Sequence, residues 1–208
     1  PRIIDAWPEI RDWAREPSGS NTSYLPTLTM NYEFGDLTLT STTGYYEYDF
    51  NTGGHADATS YGYFFSYQEE KFNSLMQEFR LTSSFDGSWN FAAGGYYETS
   101  DRELLAGAVL GPIAQDPTTG KFNAHDNRWD NSTDAYSFFA QIVYTPIEQL
   151  EIAGGARYTS QDRTVNARNT FVNAAQAGFR PMGSVLAGDY SEDNTSPEVT
   201  VTWRFSPD

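Results

Sequence analysis

Between Tyr136 and Tyr158 every second residue belongs to one chemical class, and the chain reverses direction halfway. Tyr136, Phe138, Ala140, Ile142 and Tyr144 fall on one side of a period-two strand, with Ser137 and Gln141 on the other. Thr145-Pro146-Ile147-Glu148-Gln149 turns the chain. Leu150, Ile152, Gly154, Ala156 and Tyr158 then alternate with Glu151, Ala153, Gly155 and Arg157. A strand points successive side chains to opposite faces, so this hairpin presents one face suited to hydrocarbon and one suited to water.

The unit recurs. Phe79, Leu81 and Ser83 alternate with Glu78, Arg80 and Thr82 ahead of the turn Phe85-Asp86-Gly87-Ser88, after which Trp89, Phe91, Ala93, Gly95 and Tyr97 alternate with Asn90, Ala92, Gly94, Tyr96 and Glu98. Upstream, Leu28, Met30, Tyr32 and Phe34 alternate with Thr27, Thr29, Asn31 and Glu33, and Gly35-Asp36 leads into Leu37-Thr38-Leu39-Thr40. Beyond Gly44 the aromatic phase changes to Tyr46, Tyr48 and Phe50, which predicts a bulge or twist there. A last strand places Val199, Val201, Trp203 and Phe205 against Glu198, Thr200, Thr202 and Arg204, and stops at Ser206-Pro207-Asp208.

Tiny turns close these hairpins at one end, and long polar stretches join them at the other. Residues 51–76, 99–134 and 159–196 read as the long connections, and residues 1–23 as a further loop before the strands and loops of 24–208. Connections of that length are rare in a compact soluble domain. They suit a transmembrane β-barrel, whose periplasmic turns are short and whose extracellular loops are long. The fold class expected is therefore all-β, an antiparallel transmembrane β-barrel segment of about seven meandering strands. An odd number of strands and the absence of a signal-peptide pattern at Pro1-Arg2-Ile3-Ile4-Asp5 lead us to expect a part of a wall, residues 1–208 forming a partial barrel domain.

Composition agrees. Aromatics make up 16% of the chain while the mean hydropathy is -0.58, a pairing that favours many strands with wet loops over a dry core. No run approaches the roughly 20 apolar residues of a membrane helix. Cysteine is absent, which removes disulfide scaffolds and thiolate metal sites. A net charge of -15 argues against nucleic acid as a partner. It reads as acidic loops facing water, the alternative being an acidic funnel that selects a cationic ligand.

The strings Gln77-Glu78-Phe79-Arg80-Leu81-Thr82-Ser83, Trp89 to Tyr97, Phe139-Ala140-Gln141-Ile142-Val143-Tyr144 and Ala153 to Thr159 resemble barrel strands of TonB-dependent outer-membrane receptors, as does Ser196-Pro197-Glu198-Val199-Thr200 leading to Trp203. The resemblance spans roughly residues 27–208 as a middle segment of a barrel of about 22 strands. It implies the outer membrane of a Gram-negative bacterium, surrounded by lipid and lipopolysaccharide, and energised uptake of a scarce large nutrient such as a ferric siderophore, haem, cobalamin or an oligosaccharide. It also implies a plug domain and a TonB complex, for which no residues are visible here, and no enzymatic step.

Charged and polar residues on the watery face, namely Glu33, Glu78, Arg80, Glu98, Gln141, Glu151, Arg157, Glu198 and Arg204, are candidates for lining the lumen, where they could contact a plug or passing ligand or simply pair with one another. Loop residues His55, Tyr61, His125 and Trp129 are candidates for ligand contact. No catalytic, cofactor or metal site is expected. His125 with Asp126, Asp130 and Asp134 matches neither a zinc nor a calcium spacing, and no Gly-x-Ser-x-Gly elbow exists. Asn-x-Ser/Thr matches at Asn21, Asn131 and Asn194 read as chance in polar loops. Two rival readings remain at this stage, a passive porin-like channel and a soluble β-sandwich that binds carbohydrate or protein.

Overall fold

The computed structural model describes residues 18–57, 64–111, 113–179 and 181–205. They form one antiparallel sheet of β1 (Ser18–Tyr24), β2 (Thr27–Phe34), β3 (Leu37–His55), β4 (Phe64–Ser83), β5 (Trp89–Leu110), β6 (Asn123–Ile147), β7 (Leu150–Val172) and β8 (Val185–Trp203). Each strand from β3 to β8 pairs with the next in sequence, a continuous meander. No second sheet faces it among the described residues, which removes the sandwich reading.

β1 and β2 both pair with β3, and their registers continue each other: Tyr24 lies opposite Glu47 and Thr27 opposite Gly44. They are one membrane-crossing strand interrupted at Pro26, which has no N–H to give the ladder. The Pro26 carbonyl still accepts from Tyr45 N at 3.0 Å. The sheet thus crosses as seven spans. Ser18–Tyr24 is strand, where the sequence led us to expect loop up to residue 23, because its backbone completes the ladder on β3.

The hairpin turns all lie at one end. Gly35-Asp36 joins β2 to β3, with Gly35 at φ +63°, a left-handed conformation that tight hairpin turns demand and glycine adopts freely. Between β4 and β5, Asn90 clamps the turn by accepting from Phe85 N at 2.8 Å and donating to the Phe85 carbonyl at 3.2 Å. Neighbouring turns are tied together by Ser84 N to the Asp36 carbonyl, Thr145 N to that of Ser88 and Arg204 N to that of Gln149. The expected turn at Ser206-Pro207-Asp208 lies outside the described residues.

At the other end the connections are shorter than the sequence suggests. Most of residues 51–76, 99–134 and 159–196 extends the strands, so β5 runs 22 residues and β6 runs 25. The predicted bulge after Gly44 is absent: β3 pairs with β4 without interruption from Leu37 opposite Ser83 to His55 opposite Phe65. Tyr46 and Tyr48 simply occupy the face opposite to that of Tyr45, and both rings contact Phe72. Irregularities fall elsewhere, at Ala108/Val109, Asp126/Asn127 and Tyr144/Ile147.

The two faces differ. Along β6, Tyr136, Phe138 and Ile142 are exposed, whereas Ser137 is buried and Phe139, Gln141 and Val143 are half-buried. The exposed face carries an apolar band edged by aromatics, with Trp89 stacked on Tyr144 at 4.2 Å near the turns and Tyr136 beside Tyr158 at 6.4 Å towards the far end. Trp89 and Tyr97 are eight residues apart, about 27 Å of strand, or about 20 Å along the normal at the usual tilt of about 40°. That height suits a bilayer's hydrocarbon. Beyond the tyrosines the strands continue with polar side chains on the exposed face, and at the tip Phe65 and Val109 form a small core with Tyr67 and Phe122.

Candidate functional site

Strand register puts Glu78, Arg80, Glu98, Gln141, Glu151, Arg157, Glu198 and Arg204 on the sheltered face, together with Glu33. They do not form one cluster. Five of them, Glu78, Arg80, Gln141, Arg157 and Glu198, line a half-open cavity of about 560 Å3 in the membrane-crossing half of the sheet, with Ala92, Phe139 and Gly155 as its floor. Arg80 bonds Glu78 on its own strand at 2.8 Å, and its guanidinium lies 5.6 Å from the centre of the Phe139 ring. Arg157 donates to Ser137 Oγ at 2.7 Å and lies over Tyr96.

The remaining candidates sit above and below that cavity. Glu98 accepts from Ser74 at 2.9 Å and from Tyr96 at 2.6 Å. Glu151 and Arg204 form an ion pair of 2.7 Å beside the turns. So four of the charges form two ion pairs, while Arg157 is held by a hydroxyl and an aromatic ring.

Above the tyrosine level the sheltered face holds a second cavity of about 590 Å3, lined by Glu98 and by Phe72, Arg102, Leu104, Trp129 and Arg163 among others. Trp129 therefore belongs to this cavity rather than to a loop. Its wall continues into Tyr46 and Tyr48, and Tyr48 stacks on Phe72 with ring centres 5.3 Å apart. Glu70 is bonded by Tyr48 and by Arg102, the latter at 2.7 Å. The Arg102 guanidinium holds the Glu70 carboxyl below its usual range, overcoming the opposite pull of burial. Burial and the adjacent Glu70 push the Tyr48 phenol up.

The other loop candidates are dispersed. His55 ends β3 with its ring edge-on to Phe65, and His125 lies within β6, its Nδ1 3.3 Å from Gln176. Both border a third cavity of about 730 Å3 at the strand tips. Tyr61 lies outside the described residues. No group of three or more metal-ligating side chains occurs among the described residues.

Sequence reasoning missed Tyr48, Glu70, Phe72, Phe139 and Arg163. The signal was parity: Tyr46 and Tyr48 keep the even phase of Thr40 and Thr42, which is the watery face, so their aromatic character hid their side. Phe139 shares the phase of Gln141 and was hidden the same way.

A single meandering antiparallel sheet, with an apolar, aromatic-edged outer band and a charged sheltered face, is the wall of an outer-membrane β-barrel. Residues 4–208 match the family model of the TonB dependent receptor-like β-barrel, and the chain belongs to that family. Its members are transporters of the Gram-negative outer membrane, not enzymes.

Solved structures agree on the fold. The chain is similar to the ferric yersiniabactin uptake receptor FyuA from Yersinia pestis, with a TM-score of 0.74 at 12% identity, covering 92% of this chain and 27% of that one. It is also similar to the ferric citrate transporter FecA in its unliganded form, with a TM-score of 0.61 at 13% identity over 92% and 26% of the two chains. The ferric-catecholate import receptor Fiu from Escherichia coli K12, in its closed form, gives 0.56 at 12% over 90% and 31%. The chain thus spans roughly a quarter to a third of the length of these structures.

Proposed function

We propose that this chain is part of the barrel wall of a receptor that imports a scarce, large nutrient across the outer membrane with TonB-coupled energy. The exposed apolar band faces lipid and lipopolysaccharide, and the sheltered face lines the lumen. The lower cavity and its Glu78–Arg80 pair would contact a plug domain, while the upper cavity and strand extensions would meet the ligand first. The single observation that carries this reading is the family match over residues 4–208. The sheltered wall supports it, being polar at membrane depth and aromatic above.

Import of iron chelates is the favoured cargo class, because FyuA, FecA and Fiu are described as handling ferric ligands. The test is uptake of a radiolabelled iron chelate by cells expressing the complete receptor. Energised accumulation that is lost on removing TonB supports the reading. Uptake that persists without TonB, proportional to outside concentration, would replace it with the passive channel.

A further inference from the structure

At the end of the sheet away from the tight turns, two connections flank the tip of β6. Residues 113–122 lead into it from β5, and residues 173–179 leave β7 on its other side. The first connection is built on its own hydrogen bonds. The Asp116 carboxylate accepts from Thr118 N at 3.1 Å, from Thr119 N at 2.8 Å and from the Thr119 hydroxyl at 2.9 Å. Asp116 N donates to the Lys121 carbonyl and Gly120 N to that of Asp116. An aspartate that caps the N–H groups just after it makes a turn that holds its shape. The second connection opens on a single 3-10 turn, Ala174–Gln176, capped by Asn173, whose side-chain oxygen accepts from Ala175 N at 3.0 Å.

Asn173 is only 3% exposed, and every polar group it carries has a partner. Its N–H donates to the Ala124 carbonyl of β6 at 3.0 Å, and its own carbonyl accepts from Gln176 N at 2.8 Å. Its side-chain amide donates to the Ala114 carbonyl at 3.0 Å, in the other connection and 59 residues away in sequence. One buried side chain thus bonds both connections.

A second fastening lies at the other end of residues 113–122. Lys121 pairs with Asp126 of β6 at 3.2 Å, and its ammonium lies 5.0 Å from the centre of the Phe171 ring of β7. Asp126 and Phe171 stand opposite each other in register, and Tyr67 and Asn123 also bond the Asp126 carboxylate. Next to Lys121, Phe122 packs against Phe65 and Val109. Residues 113–122 are therefore held at both ends by the same β6–β7 tip that carries residues 173–179.

We propose that Asn173 and Lys121 join the two connections into one body at the mouth of the wall, so that whatever displaces either connection displaces both. The proposal needs neither the cargo nor the energy coupling of the import reading. A turn that is rigid in itself passes a pull at Ala114 or Lys121 to its whole length, and coupling between two such elements is reciprocal.

The experiment uses the complete receptor in lipid nanodiscs, in a background without other cysteines, with spin labels on cysteines at Thr118 and Ala177, both exposed. Pulsed dipolar spectroscopy gives the distribution of distances between them, and one narrow distance is expected. Asn173→Asp keeps an acceptor for Ala175 N and removes the donor to Ala114. It is expected to broaden the distribution at least about twofold, while hydrogen exchange at Ala175–Ala177 changes less than about twofold. Lys121→Met keeps the stem over Phe171 without the charge and is expected to broaden the distribution too, so the test stands if one of the two variants fails to fold. Several distances in the unsubstituted receptor, or an unchanged width in either folded variant, would overturn the proposal. Faster exchange at Ala175–Ala177 in Asn173→Asp without broadening would also overturn it, leaving Asn173 as a local cap only.

Discussion

Arg80 and Phe139 lie on strands that are not neighbours, yet the Arg80 guanidinium sits 5.6 Å from the centre of the Phe139 ring. They share a row of the sheltered face through Gly94, which stands opposite Arg80 on β4 and Phe139 on β6. A Cβ at Gly94 would come within 2.5 Å of the Phe139 ring and 2.4 Å of the Phe79 carbonyl oxygen. The missing side chain is what lets the ring lie down over β5. Gly94→Val is expected to destabilise the complete barrel by about 1–3 kcal/mol through overpacking against a backbone that cannot retreat. The heat-modified mobility of the receptor in detergent gels reads this as a lower unfolding temperature; an unchanged temperature would mean that the ring moves aside at no cost.

The exposed face sets a second expectation. Phe138 and Ile142 are 61% and 56% exposed in the apolar band, while Ser137 between β5 and β7 is buried on the other face. Arginine at 138 or 142 should cost about 2–4 kcal/mol near the bilayer midplane, and arginine at Gln141 far less. Folding titrations of the complete receptor into vesicles measure the difference. Equal costs at Gln141 and Ile142 would invert the assignment of faces.

How much of this was legible follows from the surroundings of each strand. Where one side of the wall meets lipid and the other water, hydropathy must alternate, and Tyr136–Tyr158 could be read directly. Past the tyrosines both sides meet water, so Thr99–Leu110 and Asn123–Asp134 lose the alternation although the ladder continues, and they resemble loops. The lower cavity was legible through its charges. The upper one was not, since Tyr48 and Phe72 are aromatic residues on the watery face and Arg102 lay in an expected loop.

Glu70 gives the upper cavity a pH dependence with a definite sign. Its folded-state pKa is held below the ordinary carboxylate value by Arg102. The stabilisation is therefore full above about pH 4.3, the usual value, and is lost as pH falls through the depressed one. Hydrogen exchange around Lys71 and Arg102, corrected for intrinsic rates, should show protection that drops in that acid window. Glu70→Gln should be less protected at neutral pH and show a smaller acid step. The opposite result, a wild type indifferent to acid alongside an indifferent variant, would make the pair ornamental.

Orientation is testable on intact cells. Asp86 lies in a tight turn at one end of the sheet, and His125 near the tips at the other. Short turns face the periplasm in barrels of this kind. A cysteine placed at Gln176, next to His125, should react with a membrane-impermeant maleimide from outside, whereas one at Asp86 should react only after the outer membrane is opened. Labelling in the reverse order would turn the wall upside down.

The two edges of the sheet make the last expectation. β1 and β2 pair only with β3, β8 pairs only with β7, and no strand pairing joins the first edge to the last among the described residues. All of β2 and nearly all of β8 is exposed. Unpaired N–H and C=O groups in hydrocarbon cost several kcal/mol each, so a strand crossing the membrane with a bare edge cannot persist. Residues 28–34 and 195–203 are therefore expected to hydrogen-bond to strands other than each other, within a larger barrel. Cysteines at Met30 and Val199 in the complete receptor are expected to form no disulfide with one another under oxidation. Residues 1–208 expressed alone are expected to give no monodisperse closed barrel in detergent. Efficient Met30–Val199 cross-linking within one such 208-residue chain would show that the sheet closes on itself, and would sink this prediction.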